Sequence, residues 1–303
     1  MPIVNAPMGG VAGGRLAGAV SAAGGLGMIG MGSTASAAKL TAELGRLGPV
    51  PRFGIGLVDW VARDQPELLE TALAARPALL SVSFGDDFGW VARAQAAGIS
   101  TATQVYDRVG ARRAQDAGVD LLVARGAEGG GHGELRLATL PLLDAVLDVA
   151  TVPVLAAGGI ASPRSLAAVL AAGAAAAWLG TCLSACTEAL TGEAARRALI
   201  AAGETDTVVT RAFDVGLRLN WPARFPARVL GNDFSARWAG REAALAADAA
   251  ACAELLTGVA AEDGRLAPID AGQGVGLLTD SRPVAEIISG LCAGAEQLLT
   301  RWA

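Results

Sequence analysis

Histidine and cysteine, which most often build metal sites in proteins, are scarce in this chain. Its 303 residues contain one histidine and four cysteines. No two cysteines form a Cys-x-x-Cys pair and none has a histidine partner, so zinc sites and disulfide frameworks are both disfavoured. We therefore predict no metal site, and we expect small buried thiols in a reducing cytoplasm. The cysteines are Cys182, Cys186, Cys252 and Cys292.

An excess of positive charge is also lacking. The formal charge is -5, whereas a nucleic-acid partner normally requires a basic face. The charge-free run from Leu166 to Cys186 is long enough for a membrane helix, but it is mostly Ala and Gly and is interrupted by Gly173. It is better interpreted as a short helix, a turn and a buried strand. With no signal-peptide pattern at the start, the sequence predicts a cytoplasmic protein without nucleic-acid or membrane partners, either a monomer or a homodimer.

Glycine and small apolar residues are abundant instead, with 40 glycines and 52% hydrophobic residues. Short apolar runs alternate with Ala-rich helical stretches, which predicts a parallel sheet covered by helices. The predicted strands are Pro2–Ala6, Leu26–Gly30, Phe53–Val58, Leu79–Phe84, Ser100–Val105, Asp120–Ala124, Val152–Ala156 and Ala175–Gly180. The predicted left-handed helix caps are Gly24, Gly48, Gly98, Gly118 and Gly173.

Eight strand–helix units favour a closed (β/α)₈ TIM barrel over an open Rossmann-like sheet. The open sheet would need a Gly-x-Gly-x-x-Gly turn after the first strand and an acid about 20 residues later. Met8 to Gly14 imitates that turn weakly, and no acid follows before Glu43. The barrel is therefore the preferred α/β architecture.

The composition changes after the eighth unit. Residues 189–268 show little strand pattern and many arginines and acids, and a final amphipathic helix is expected from Pro283 to Trp302. We predict a barrel of residues 1–188 and 269–303, with a smaller, mostly helical domain of residues 189–268 covering its mouth. The arginines are expected to pair with nearby acids on a solvated face rather than to attract an anionic substrate.

His132 ends the run Gly126-Ala127-Glu128-Gly129-Gly130-Gly131-His132, which follows an apolar strand. Glycines let a bound group approach the main chain, and imidazole is the usual proton-transferring side chain near neutral pH. The run therefore predicts a site with His132 as its catalytic group. Glu128 is expected to orient the loop or the imidazole. No Ser-His-Asp set and no catalytic carboxylate pair can be assigned from the sequence.

The loops after strands seven and eight predict a phosphate site, as is common in barrels. They read Ala157-Gly158-Gly159-Ile160 and Gly180-Thr181. Ser162-Pro163 is a suitable start for a helix whose N-terminus faces an anion, and Thr181 adds a hydroxyl donor. Because these loops carry few charges, a phosphorylated cofactor held by backbone amides fits better than a metal.

Six segments in the same order along the chain resemble the nitronate monooxygenases, formerly called 2-nitropropane dioxygenases, which are FMN enzymes built on a TIM barrel. The segments are Ala6–Gly10, Ser83–Gly85, Gly126–His132, Ala156–Ile160, Leu179–Thr181 and Ala271–Gly276. The resemblance extends over essentially the whole chain.

This resemblance implies a role for individual residues. It places Met8, Gly9 and Gly10 along the isoalloxazine ring of FMN and Gly130 at a backbone contact with it. It assigns Gly158, Gly159, Gly180 and Thr181 to the phosphate, His132 to catalysis and Gln273 to a position near the cofactor. Where the family usually has a glutamine touching FMN, this chain has Arg125, and Gly133-Glu134 replaces the Arg-Gly pair that commonly follows the histidine.

Three functions follow as hypotheses. The first is FMN-dependent oxidation of alkyl nitronates, and of nitroalkanes as further substrates, with O₂ to a carbonyl compound and nitrite. The second is an NAD(P)H-dependent FMN reductase of the same superfamily, acting on an enoyl thioester or a quinone. The third is a flavin-binding or phosphate-binding barrel without catalytic activity. The motifs above are shared by the first two, so they do not separate them.

Overall fold

The computed structural model describes residues 1–301 and contains eleven strands within that range. In chain order they are β1 (Ile3–Asn5), β2 (Met28–Gly30), β3 (Gly54–Val58), β4 (Leu79–Ser83), β5 (Ser100–Val105), β6 (Leu121–Arg125), β7 (Gly131–His132), β8 (Val154–Ala157), β9 (Ala176–Leu179), β10 (Thr207–Thr210) and β11 (Ala227–Leu230).

Helices follow most of the strands. They are α1 (Gly14–Ala22), α2 (Ala37–Leu44), α3 (Asp59–Asp64), α4 (Pro66–Ala74), α5 (Gly89–Ala96), α6 (Arg108–Asp116), α7 (Thr139–Leu147), α8 (Pro163–Ala171), α9 (Glu193–Ala201), α10 (Ala212–Gly216), α11 (Asp233–Trp238), α12 (Glu242–Ala247), α13 (Ala249–Ala260) and α14 (Val284–Leu299). The predicted last helix was correct up to Leu299, and its predicted end, Trp302, lies outside the described residues.

Eight of the strands form a parallel barrel in the order β1-β9-β8-β6-β5-β4-β3-β2. A single parallel bridge, Val4 to Leu26, joins the two ends of this order. Asn5 reinforces the junction, because its side chain donates to the Met28 carbonyl at 2.9 Å and accepts from the Met28 amide at 2.6 Å. The predicted TIM barrel is therefore confirmed, with all eight predicted strands present and one short closing contact.

The core of the barrel has two parts. Alternate strand residues, including Val4, Met28, Val123 and Leu155, form one buried cluster, as expected for side chains that point into a barrel. A larger cluster packs the strands against the surrounding helices. The five glycines predicted as left-handed caps all have positive φ, between 72° and 106°, so the helix ends were predicted correctly.

The charge-free run Leu166–Cys186 forms the end of α8, the strand β9 and a short 3₁₀ turn, as predicted. Within residues 1–301, no helix combines the length and apolar character needed to cross a membrane. Cys182, Cys186 and Cys252 are buried and Cys292 is half-buried. Burial raises the pKa of the Cys182 thiol to about 12, so this thiol stays protonated.

The segment 189–268 corrects one expectation. It contains helices α9 to α13, but also β10 and β11, where little strand structure was expected. β10 pairs antiparallel with β11, and β11 pairs antiparallel with β7, which carries His132. Phe213, Phe234, Trp238 and Leu255 belong to a buried cluster of this segment. β11 of this segment therefore forms a small sheet with β7, the strand in the loop that was predicted to be catalytic.

Candidate active site

A cavity of about 710 Å³ opens at the carboxyl ends of the barrel strands, within the usual size range of small-molecule sites. Ten predicted site residues line it: Met8, Gly9, Gly10, Arg125, Gly130, His132, Gly158, Gly159, Gly180 and Thr181. Gln273 does not line it, since Gly272 and Gly274 do so while Gln273 is exposed. The loops following different strands thus converge on one space, as the parallel barrel requires.

One wall of the cavity consists largely of backbone. Gly158 and Gly159 have φ of 108° and 68°, conformations that side chains rarely adopt. They precede α8, which begins with Pro163 after a reciprocal cap formed by Ser162 and Ser165. The predicted helix start is therefore correct, and the helix N-terminus lies beside the glycines, where partial positive charge favours an anion.

Thr181 lines the same cavity as these glycines and contacts a third loop. Its Oγ1 accepts a hydrogen bond from the Gly272 amide at 2.9 Å, which leaves the hydroxyl proton free to be donated. Gly130 also meets this loop, because a Cβ at Gly130 would lie 2.5 Å from the Gly272 nitrogen. The glycines therefore have two effects. They let the backbones of two loops come into contact, and they leave space for a ligand.

Glu128 orients the loop and not the imidazole. Its carboxylate accepts hydrogen bonds from the amide and the hydroxyl of Thr139, both at 2.8 Å. Thr139 is the first residue of α7, so the carboxylate stands at a helix N-terminus, where negative charge is stabilising. Of the two roles expected for Glu128, the structure supports the first.

Arg125 is buried beneath the same loop, only 5% exposed. Its Nη2 donates to the carbonyl oxygens of Gly129, Gly130 and Gly131 at 2.9 to 3.1 Å. Among the described residues, Nη1 has no hydrogen-bond partner. Burial lowers the pKa of the guanidinium, although an arginine remains charged. The residue thus places a cation on the cavity wall and also organises the loop that presents His132.

His132 is held from two sides by the segment 189–268. Its Nε2 lies 2.9 Å and 3.1 Å from the two carboxylate oxygens of Asp214 on α10. Its ring stacks on Trp221, with centroids 3.6 Å apart and planes 8° from parallel. The pairing of Ala227 on β11 with His132 fixes the backbone at the same point. The imidazole is therefore closely restrained at the edge of the cavity.

Aromatic side chains collect around this imidazole in a chain that is only 4% aromatic. Phe84 packs edge-on against Trp221 and Phe225, with centroids 5.1 Å and 5.6 Å apart, and Trp60 also meets Trp221 edge-on. Phe84 directly follows β4 and has φ of 72°, a strained value for a bulky residue. The cluster provides an apolar surround for His132 and Trp221.

Asp270 is a further acid on the cavity wall. Its side chain is accessible from the cavity although protein surrounds it densely, and this poor solvation raises the pKa of its carboxyl group. Neighbouring charges act in both directions: His132 and Arg125 oppose the rise, and Asp214 adds to it. Near His132 the cavity wall therefore carries the imidazole, the Arg125 guanidinium and the accessible Asp270 carboxyl group, while Lys39, Glu43 and Arg46 line another part of it.

Sequence reasoning missed Asp214, Trp221 and Asp270. Asp214 is 82 positions from His132 and carries no local motif. Trp221 stands between Asn220 and Pro222 in a region interpreted as helical. Asp270 directly precedes the Ala271–Gly276 segment. Its position next to this segment is the one sequence feature that could have pointed to it.

The residues of the cavity fit FMN. The paired glycine loops, the helix N-terminus and the Thr181 hydroxyl offer donors for a single phosphate. Met8 lines the cavity, with its sulfur 3.6 Å from the Cβ position of Gly180 and 3.4 Å from the Ser184 hydroxyl. A soft thioether is suited to contact with an aromatic ring. Side chains at the cavity glycines would reduce the space for a ring system.

Comparisons with known proteins show the family to which the chain belongs. The family model described as nitronate monooxygenase matches residues 59–294. A nitronate monooxygenase from Paraburkholderia phytofirmans is 32% identical over 78% of this chain and 75% of its own length. An octahydro-indene-carboxyl-CoA dehydrogenase from Rhodococcus jostii is 31% identical over 77% of this chain and 63% of its own length.

Solved structures extend the similarity to the whole chain. FabK from Thermotoga maritima has a TM-score of 0.87 at 27% identity, covering 99% of this chain and 94% of its own. A nitroalkane oxidase from Streptomyces ansochromogenes has a TM-score of 0.85 at 28% identity, covering 100% of this chain and 98% of its own. With the family model matching most of the chain and the barrel, glycine loops and single imidazole in place, this protein is an oxidoreductase that belongs to the nitronate monooxygenase family.

Proposed function

We propose that this protein is an FMN-dependent enzyme that oxidises alkyl nitronates, and nitroalkanes as further substrates, with O₂ to a carbonyl compound and nitrite. The observation that carries the proposal is the position of His132. This single imidazole lies on the wall of a cavity whose remaining loops are rich in glycine. His132 is the single histidine of the chain, and we assign to it the proton transfer to or from a substrate at this point.

The phosphate of FMN would be held by Gly158, Gly159, Gly180 and Thr181, with the N-terminus of α8 behind them. Met8, Gly9, Gly10 and Gly130 would border the ring. When bound, FMN supplies the electron acceptor that no protein side chain in the cavity provides. The protein's own part is then to orient the substrate, to exclude water and to handle one proton.

The role of His132 depends on the form of the substrate. With a neutral nitroalkane, the imidazole accepts the α-proton and the electron pair of the broken C–H bond remains on the nitronate. With a nitronate that arrives deprotonated, the role left is positioning, in which the imidazolium form donates a hydrogen bond to the oxygens of the nitro group. Trp221 covers one face of the imidazole, and this apolar contact lowers the local dielectric and strengthens the electrostatic interactions of the ring with a substrate.

A second candidate function is an NAD(P)H-dependent reductase acting on an enoyl thioester or a quinone. Two observations favour this second function. One relative is named as a carboxyl-CoA dehydrogenase. The cavity also extends past Gly10 to Lys39 and Arg46, two cations near its outer end that suit a substrate or reductant with anionic groups, although Arg46 is paired with Glu43.

An anaerobic titration separates the two functions. The purified flavoprotein is mixed with an alkyl nitronate, with NADH or with NADPH, and the flavin absorbance is recorded. Bleaching by the nitronate alone supports the proposal, and bleaching by a nicotinamide nucleotide alone overturns it in favour of the reductase. A yellow protein that responds to neither would be a flavin-binding barrel without this chemistry. Chromatography of the flavin released on denaturation tests the cofactor, and recovery of FAD would contradict FMN.

A further inference from the structure

We propose that Asp214 is a positioning residue for His132: it holds the imidazole as the tautomer protonated at Nε2, so that Nδ1 is the atom that exchanges protons with the substrate. This role rests on the proposed function only in its last step, the proton transfer. The tautomer itself is a property of the protein and is measured without any substrate.

The geometry of the His132–Asp214 pair supports this assignment. Both oxygens of Asp214 are within 3.1 Å of Nε2, and the side chains of His132 and Asp214 are 15% and 5% exposed. A carboxylate accepts hydrogen bonds and does not donate them, so the hydrogen in this contact belongs to Nε2. The other ring nitrogen of a neutral imidazole then carries the lone pair.

The second support is the environment of Nδ1. Within residues 1–301, Nδ1 has no hydrogen-bond partner, and it is not among the buried side-chain atoms left without one. Since His132 lines the cavity, Nδ1 is the ring nitrogen that a substrate can reach. Trp221 covers one face of the ring at 3.6 Å and opposes rotations that would exchange the two nitrogens.

The third support is the rigidity of the element that carries the carboxylate. Asp214 lies in the short helix α10 and is itself buried. Its neighbours Ala212 and Phe213 are buried in the cluster of segment 189–268. The carboxylate is therefore delivered by packed structure and does not depend on a mobile loop.

Other charged groups near the imidazole do not compete for Nε2. The Arg125 guanidinium is directed to the carbonyl oxygens of the glycine loop. Asp270 acts on His132 through charge, but no hydrogen bond joins the two among the described residues. Asp270 is thus a matched control, since it is a second carboxylate in the same site without contact to Nε2.

For a neutral nitroalkane, the assignment fixes the path of the proton. The α-C–H bond breaks, its electron pair is delocalised into the nitro group, and the proton forms a new bond to Nδ1. The imidazolium then faces the Asp214 carboxylate across the Nε2–H bond, as in other catalytic pairs in which an acid orients a histidine. The carboxylate itself takes no proton.

Because the chain has one histidine, ¹⁵N-histidine labelling of protein without a histidine tag gives the signals of this imidazole alone. In the neutral ring of the wild-type flavoprotein, we expect one proton-bearing nitrogen, assigned to Nε2, and one unprotonated nitrogen, assigned to Nδ1. A wild-type ring protonated at Nδ1 would overturn the proposal without any variant. It would do so whether or not the protein oxidises nitronates.

Variants then test whether Asp214 is the cause. In Asp214→Ala we expect mixed tautomers and faster exchange of the ring proton with water, whereas Asp214→Glu partly restores the wild-type signals. Asp270→Asn should leave the Nε2 proton signal in place. On a nitroalkane, Asp214→Ala should lower kcat by about tenfold or more, with little change in KM. We expect this loss to be smaller than the contribution of a general base, about 10²–10⁴-fold. Wild-type tautomer signals in a folded, flavin-replete Asp214→Ala protein would contradict the proposal.

Discussion

The two walls of the active-site cavity are built in different ways. The barrel loops contribute mainly backbone, with glycines at positions 9, 10, 130, 158, 159 and 180. The segment 189–268 contributes side chains: the Trp221 indole lines the cavity and stacks on His132, and the Asp214 carboxylate holds the imidazole without lining the cavity itself. Backbone amides suit a ligand that is the same in every turnover, such as a cofactor phosphate. Oriented side chains suit a step in which a proton moves.

This difference predicts that cofactor binding and proton transfer can be damaged separately. A change on the side-chain wall should lower the rate and spare the flavin. A change on the backbone wall should release the flavin and spare the imidazole. Arg125 and Asp270 line the cavity close to the loop that carries His132. Variants of these two residues test whether cofactor binding and proton transfer are separable there.

The largest effect is expected from His132→Asn. Loss of a general base typically costs about 10²–10⁴ in rate, so turnover on a neutral nitroalkane should fall by that factor. Turnover on preformed nitronate should fall less, because positioning is then the only contribution lost. Steady-state rates on both forms and the flavin content of the variant measure this. Near-wild-type turnover on both substrates would show that His132 has no part in the reaction.

The next effect tests the backbone wall through Gly159→Ala. Gly159 has φ of 68°, where a side chain costs about 1–2 kcal/mol, and the new Cβ would lie 3.2 Å from that of Glu128. We expect flavin affinity to fall roughly tenfold, a factor that corresponds to about 1.4 kcal/mol. Flavin fluorescence on dilution measures the dissociation constant.

Gly98→Ala is the control for backbone strain. Gly98 has φ of 73° and no atom within 4 Å of its Cβ position, and it follows α5 outside the cavity. This variant should lose a similar amount of stability and keep its flavin. Equal loss of flavin in both variants would mean that strain alone, and not the phosphate loop, explains the effect.

Arg125→Gln tests the residue beneath the glycine loop. Loss of a fixed cation near the cofactor should disfavour the anionic reduced flavin and lower its potential, by about 30 mV if the interaction is worth 1.4 kcal/mol for two electrons. Arg125→Lys keeps the charge but loses the three-way contact to the carbonyls of residues 129–131. A potential that falls equally in both variants would assign the effect to loop order and not to charge.

The smallest expected effect is a pH-dependent gain in stability from Asp270→Asn. Poor solvation by the surrounding protein raises the pKa of the cavity-accessible Asp270 above its ordinary value of 3.8. As pH rises past that value the unfolded chain releases this proton first, so ionisation favours unfolding. The variant should therefore melt above the wild type at pH 7, with a smaller difference near pH 4. Thermal unfolding at both pH values measures this, and a lower melting temperature at pH 7 would contradict it.

The control for this prediction is Asp59→Asn. The pKa of buried Asp59 is also raised by desolvation, but its carboxylate is 3.1 Å from Arg63. Removing it sacrifices an ion pair, so a smaller gain or a loss is expected. A gain in melting temperature equal to that of Asp270→Asn would show that desolvation of the carboxyl group alone determines the change in stability.

The same division explains what could be predicted from the sequence. The barrel and the helix caps were correct, and the glycine loops do line one cavity, because each of these patterns depends on residues close together in the chain; the phosphate role of the loops stays a prediction. His132 was identified by its own loop. Asp214 and Trp221 were missed because their role arises only when β11 pairs with β7, a contact between distant segments. Gln273 was placed near the cofactor by resemblance, yet its two glycine neighbours face the cavity instead.

The pairing of β7 with β11 also limits how this protein can be engineered. Segment 189–268 supplies the strand beside His132, the acceptor for its ring and the indole on its face. Replacing the segment with that of a relative to change substrate range would therefore exchange the residues that hold His132, to which we assign proton transfer, together with part of the pocket. Substitutions at residues 132, 214 and 221 should be strongly non-additive, and a successful transplant has to carry the histidine loop with it.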